Sequence, residues 1–118
     1  MDLKLLADVG IDVDEALSRM MGNQNLFKRM MLKFVDDQTY HNLIISIKEY
    51  NQEEIFRNAH TLKGMCANLA IKPLTSLFTK QVELLRNDDL VAAVSLMDEI
   101  DREFQAITKV ITEVFNEL

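Results

Sequence analysis

A chain of 118 residues, 48% of them hydrophobic, is the size of one domain and can bury a core of its own. Its net charge of −6 excludes the basic footprint of a nucleic-acid binder and disfavours an anionic membrane surface as partner. Three glycines, one proline and seven methionines favour helix over sheet, and no apolar run reaches the length of a membrane span or forms a signal peptide.

In chain order, residues 2–8 predict a short lead-in helix that Gly10 ends. Asp12 with Glu15 three residues on has the D-x-x-E form of an N-cap, and predicts a second short helix to about Met21, closed by Gly22 and Asn23. Leu26, Phe27, Met30, Met31 and Phe34 form the apolar stripe of a third helix. Its phase slips over residues 36–39, which predicts a kink or break, and Tyr40, Leu43, Ile44, Ile47 and Tyr50 resume it. Asn51 is a good cap for the next helix, with Glu54 as its partner. That helix is expected to stop near Leu69, because Pro73 disfavours helical geometry at Lys72. Pro73 suits the first turn of a following helix, apolar at Leu74, Leu77, Phe78 and Leu85. Residues 87–89 make a turn and a cap. Leu90, Met97, Ile100, Phe104, Ile107, Ile111, Val114 and Leu118 then predict one last helix of about 28 residues, roughly 42 Å at 1.5 Å each.

Short loops between long amphipathic helices imply antiparallel neighbours. The expected fold is all-α: an up-and-down antiparallel four-helix bundle over residues 23–118, with one or two short N-terminal helices over residues 1–22 as a lid. Met20, Met21, Met30, Met31, Met65 and Met97 read as core filler. Cys66 is the only cysteine, so no internal disulfide can form. It reads as a reduced core thiol, and the expected location is cytoplasmic.

One turn stands apart from this scaffold. At roughly 100° per residue, Ile55, Ala59, Leu62, Cys66 and Leu69 fall within an arc about 80° wide, which is the buried stripe. His60 lies about 140° from its centre and is expected to face solvent. Lys63 and Gly64 are its i+3 and i+4 neighbours, Phe56 and Ala67 lie close to the same line, and Glu53 and Arg57 border it. Gly64 costs about 1 kcal/mol against alanine in a helix interior, which is explained if something must approach the backbone there. An exposed imidazole beside a cation and a gap in the side-chain cover is fit to accept a phosphoryl group. The bland alternative is a solvated histidine and a glycine that eases packing.

The run Ala59-His60-Thr61-Leu62-Lys63-Gly64, with Ala67 and Asn68 after it, resembles the H-x-x-K-G motif of the histidine-containing phosphotransfer (HPt) domain family. Gly10, Ala16, Leu17, Arg19 and Gly22 upstream, and Leu74, Leu77, Arg86 and Leu90 downstream, extend the likeness over most of the chain. The resemblance implies that His60 takes a phosphoryl group from a receiver-domain aspartate and passes it to another. Lys63 would stabilise phosphoryl charge, and Phe56, Arg57, Gly64, Ala67 and Asn68 would dock the partner. For Phe56 a second reading, as cover for the side of the bundle, stays open. No cofactor is implied on this chain; a divalent metal is expected from the receiver. The implied partners are response-regulator receiver domains, with a hybrid sensor kinase as a further candidate, and the chain is expected to be a monomer without kinase activity or an ATP site. Two departures stand out. Ala70-Ile71 replaces a frequent Gly-Ala, and Val82 occupies a position where a Gln or Glu commonly faces the histidine. Its neighbours Gln81 and Glu83 are the candidates to replace that partner.

Three rivals compete. A sensor-kinase dimerisation helix usually has an acidic residue after its histidine, where Thr61 stands here. A metal-binding bundle needs inward Glu-x-x-His pairs, and His41 with Asp37 at i−4 is a poor substitute. A helical adaptor that has lost phosphotransfer would account for Val82 and Ala70.

Overall fold

The computed structural model describes residues 2–116. Eight helices follow one another among them: α1 (Leu3–Asp8), α2 (Val13–Arg19), α3 (Gln24–Asp36), α4 (Thr39–Lys48), α5 (Gln52–Asn68), α6 (Lys72–Arg86), α7 (Leu90–Ser95) and α8 (Met97–Phe115). Taken as α3 with α4, α5, α6, and α7 with α8, they form the four rods of an all-α bundle measuring 41 × 27 × 20 Å, with α1 and α2 before it.

The starts of the helices are written in single side chains. Asp12, Asn23, Asn51 and Asp89 each accept a bond from the backbone N–H three residues on, at 3.0, 3.0, 3.2 and 3.1 Å. The box expected at Asp12 is only half closed. Asp12 N–H already donates to Ala70 O at 2.9 Å, so the Glu15 carboxylate turns instead to Lys72 at 2.6 Å and Arg19 at 3.6 Å. The expected break between α3 and α4 falls at Asp37, which leaves helical geometry at φ −68° and ψ 140°. Beyond it Tyr40 stacks on Phe104 at 3.9 Å and donates to Asp101 Oδ1 at 2.7 Å; burial, then that bond, hold its phenol proton on.

Four expectations are corrected by turn chemistry. The α5 helix ends at Asn68 as its stripe suggests, but Lys72 is helical, and the chain turns at Ala70 with φ +55°. Met21 and Tyr50 are not core residues: they hold left-handed turn positions at φ 55° and 53°, and are 95% and 81% exposed. The last helix is interrupted at Leu96, where Ser95 Oγ bonds back to Val91 O at 2.8 Å and Gln81 Nε2 takes Ala93 O at 3.1 Å. Its expected extension to Leu118 lies outside the described residues.

The core joins every rod: Phe27, Met31, Leu43, Ile55, Leu62, Leu74, Phe78, Ile100 and Ile107 are all fully buried. Leu6, Ile11 and Ala16 belong to the same cluster, so α1 and α2 close the core rather than merely cover it. Ile11 forms a one-residue antiparallel bridge with Ile71, and Lys72 N–H donates to Gly10 O at 3.2 Å. This strap ties the N-terminal segment to the turn that follows α5.

Candidate functional site

The α5 helix can present one face to solvent because its other face is fully committed. Ile55, Ala59, Leu62 and Cys66 are at most 1% exposed, and Leu69 beyond the helix is buried. Desolvation pushes the Cys66 thiol up to about 12, so it is a protonated core group and not a nucleophile. His60 lies on the opposite side and is exposed, with Lys63 half-buried one turn later. Gly64 is exposed, and a Cβ built on it would meet nothing within 4 Å. Internal packing therefore does not explain this glycine. Beside it the surface is low, open and helical.

Phe56 is half-buried, and its ring stacks against the His60 imidazole with centroids 5.9 Å apart and planes 27° from parallel. Glu53, Phe56, Arg57, His60 and Thr61 line a shallow cleft. Arg57 is held on that rim by Glu54 at 2.8 Å and Glu53 at 3.6 Å, in exposed pairs that salt and solvent weaken. Ala67 is half-buried and its carbonyl accepts a bond from Arg19 Nη1, which fastens α2 to the last turn of α5. Asn68 is exposed and borders a groove with Met30, Lys33, Phe34 and Met65. The structure thus brings Phe56, Arg57, His60, Lys63, Gly64, Ala67 and Asn68 together along one side of α5.

The two candidates from α6 do not join them. Gln81 is 1% exposed, and its Nε2 donates to Ala93 O at 3.1 Å and Met97 Sδ at 3.2 Å. Its amide serves the α6–α7–α8 junction. Glu83 is exposed and forms no hydrogen bond or ion pair with His60 among the described residues, and Val82 is wholly buried. The imidazole has no hydrogen-bond partner among the described residues.

Two residues outside the sequence-derived set touch this face. Arg19 reaches Ala67 O, and the Arg86 guanidinium lies 5.6 Å from the centroid of the Phe56 ring. Both contacts join different helices, so no periodicity within one helix points to them. No described helix is long and apolar enough to cross a membrane.

The arrangement offers a nucleophilic ring nitrogen, an ammonium group one turn away and a patch clear of side chains. A family model described as the Hpt domain matches residues 12–110, which covers α2 through most of α8. No curated protein and no solved structure matches the chain.

Proposed function

We propose a specific carrier role from one premise: the chain belongs to the Hpt domain family, whose members are phosphocarrier modules of two-component signalling rather than kinases. In this reading His60 is the phosphoryl acceptor. A bare ring nitrogen attacks the phosphorus of an aspartyl phosphate on a receiver domain. The N–P bond forms as the P–O bond to the aspartate breaks, and the electron pair leaves with the carboxylate. The proton on the other ring nitrogen stays in place. The same steps in reverse pass the group to a second receiver.

Transfer through a loose transition state asks for alignment and charge compensation more than for covalent help. Lys63 supplies one cation on this side. The receiver brings the aspartate and the divalent ion that its own acidic site requires. Gly64 leaves the clearance for its approach, with Phe56, Arg57, Ala67 and Asn68 around it. The observation that carries the reading is the exposed His60 beside a glycine whose added Cβ would meet no described neighbour within 4 Å.

The test is incubation with a panel of phosphorylated receivers. Acid-labile, base-stable label is expected on the chain, and His60→Gln is expected to abolish it with helicity and melting temperature unchanged. A specific observation favours a second reading, an adaptor without transfer: no polar side chain of the described residues bonds the imidazole. Receiver binding without label would establish that alternative.

A further inference from the structure

An exposed histidine on a helix ordinarily samples several rotamers, and fixing one costs side-chain entropy. Near-attack geometry requires that the ring be held all the same. In this chain a hydrogen bond does not hold it, since the imidazole has none among the described residues and the fully buried Val82 cannot supply one.

A ring does lie against it. Phe56 stands one helical turn earlier, and its centroid is 5.9 Å from that of His60 with the planes 27° apart. That separation is within the range where offset-stacked aromatic rings attract. The Phe56 ring is held in turn from another helix. Arg86, in the last turn of α6, places its guanidinium 5.6 Å from the ring centroid, a cation–π distance. Three side chains from two helices therefore form one stack that ends on the imidazole.

We infer that Phe56 is a positioning residue for His60 and that Arg86 steadies it. With its face against Phe56, the imidazole is left with its edge, and so its nitrogens, free to meet an incoming phosphorus. Stacking here takes the place of the polar contact that α6 does not provide. The inference rests on the carrier reading for its biological meaning, but the orientation of the ring can be read without any receiver.

Phosphoramidate is the probe. The imidazole nitrogen attacks its phosphorus, the P–N bond of the reagent breaks, and ammonia leaves. Phe56→Leu is expected to slow labelling of His60 roughly five-fold, the loss of one stacked pair. In the same variant the His60 ring protons should shift downfield in the NMR spectrum as the aromatic ring current disappears, while the melting temperature stays close to that of the parent. Phe56→Tyr should restore both rate and shift, and Arg86→Gln should move both in the direction of Phe56→Leu by a smaller amount. Unchanged labelling in Phe56→Leu overturns the inference. So does slowed labelling with unmoved ring protons, failure of Phe56→Tyr to rescue, or a parent protein that takes no label from phosphoramidate. If the expected pattern appears with phosphoramidate while no receiver labels the chain, the stack stands and the carrier reading falls.

Discussion

At Gly10 the backbone sits at φ +95° and an added Cβ would stand 2.5 Å from Cγ of Pro73, whereas at Gly64 an added Cβ would meet nothing within 4 Å. Gly10 is required by the fold. It lies where the N-terminal strap crosses the start of α6, next to the bridge between Ile11 and Ile71. Gly64 lies inside α5, in ordinary helical geometry, and weakens that helix relative to alanine. One glycine answers to its own chain; for the other, whose added Cβ would meet no described neighbour, the proposed reason is the approach of a partner. The difference separates a residue that the fold demands from one that the fold leaves open, which the proposed function assigns to encounter.

The contrast can be broken first at Gly10. Gly10→Ala forces either Pro73 or the strap to move and places a Cβ at an unfavourable φ, so a loss of roughly 3 kcal/mol is expected. The melting temperature should drop by about 10 °C. Labelling of the surviving folded protein should be unaffected, because α5 itself is not altered. A melting temperature within a degree of the parent would show that the strap is loose and that Gly10 belongs in the same class as Gly64.

The next effect comes from the inner face of α5, two residues from Gly64. Burial raises the Cys66 thiol from its ordinary 9.0 to about 12. The folded value lies above the unfolded one, so this contribution to stability is complete below pH 9 and is lost as pH rises toward 12. By pH 10 a loss on the order of 1 kcal/mol is expected. Tyr40 is also raised, from 10.0, so its loss begins higher and the interval between pH 9 and 10 reports mainly on Cys66. Denaturant midpoints across that interval should fall for the parent and stay flatter for Cys66→Ala. Equal slopes would mean that the thiol is not sealed in the core.

At Gly64 stability and encounter should move in opposite directions. Gly64→Ala should stabilise the chain by about 1 kcal/mol, since the methyl group meets no neighbour and the helix gains propensity. Receiver-dependent labelling should slow in the same variant and fall further in Gly64→Leu, while labelling by phosphoramidate changes little. A receiver that docks on Gly64→Leu as on the parent would remove clearance as the reason for this glycine.

Much of the scaffold is legible in the sequence, because caps and stripes are local. Asp12, Asn51 and Asp89 announce their helices, Asn23 is legible only as the close of α2 although it also caps α3, and the stripe through Ile55, Ala59, Leu62 and Cys66 fixes which way His60 must face. Tertiary competition is what the pattern hides. Apolar Met21 and Tyr50 look like core until the turn they occupy carries them outward. Gln81 looks available to the histidine until its amide is seen bonded to Ala93 and Met97. The break at Leu96 depends on Ser95 and on that same Gln81, and the stack of Arg86 on Phe56 depends on how α6 lies against α5. The candidate site is read from a single turn of helix, whereas Arg86 and Arg19, which touch its face, come from α6 and α2.

Ala70 gives the smallest expected effect and the sharpest test of how conformation selects glycine. It sits at φ +55°, a backbone conformation that favours glycine, and is 1% exposed. A left-handed conformation costs a non-glycine residue about 1–2 kcal/mol. Ala70→Gly would relieve that strain. It would also delete a buried methyl worth about 0.8 kcal/mol and free the unfolded chain by roughly 0.5–1 kcal/mol. The terms nearly cancel, so the midpoint of unfolding should move by less than about 0.5 kcal/mol. The cancellation explains how alanine is tolerated there: its methyl belongs to the buried core and offsets the backbone it strains. A gain well above 1 kcal/mol would show that the methyl contributes nothing, and a comparable loss would show that core packing outweighs backbone preference at this turn.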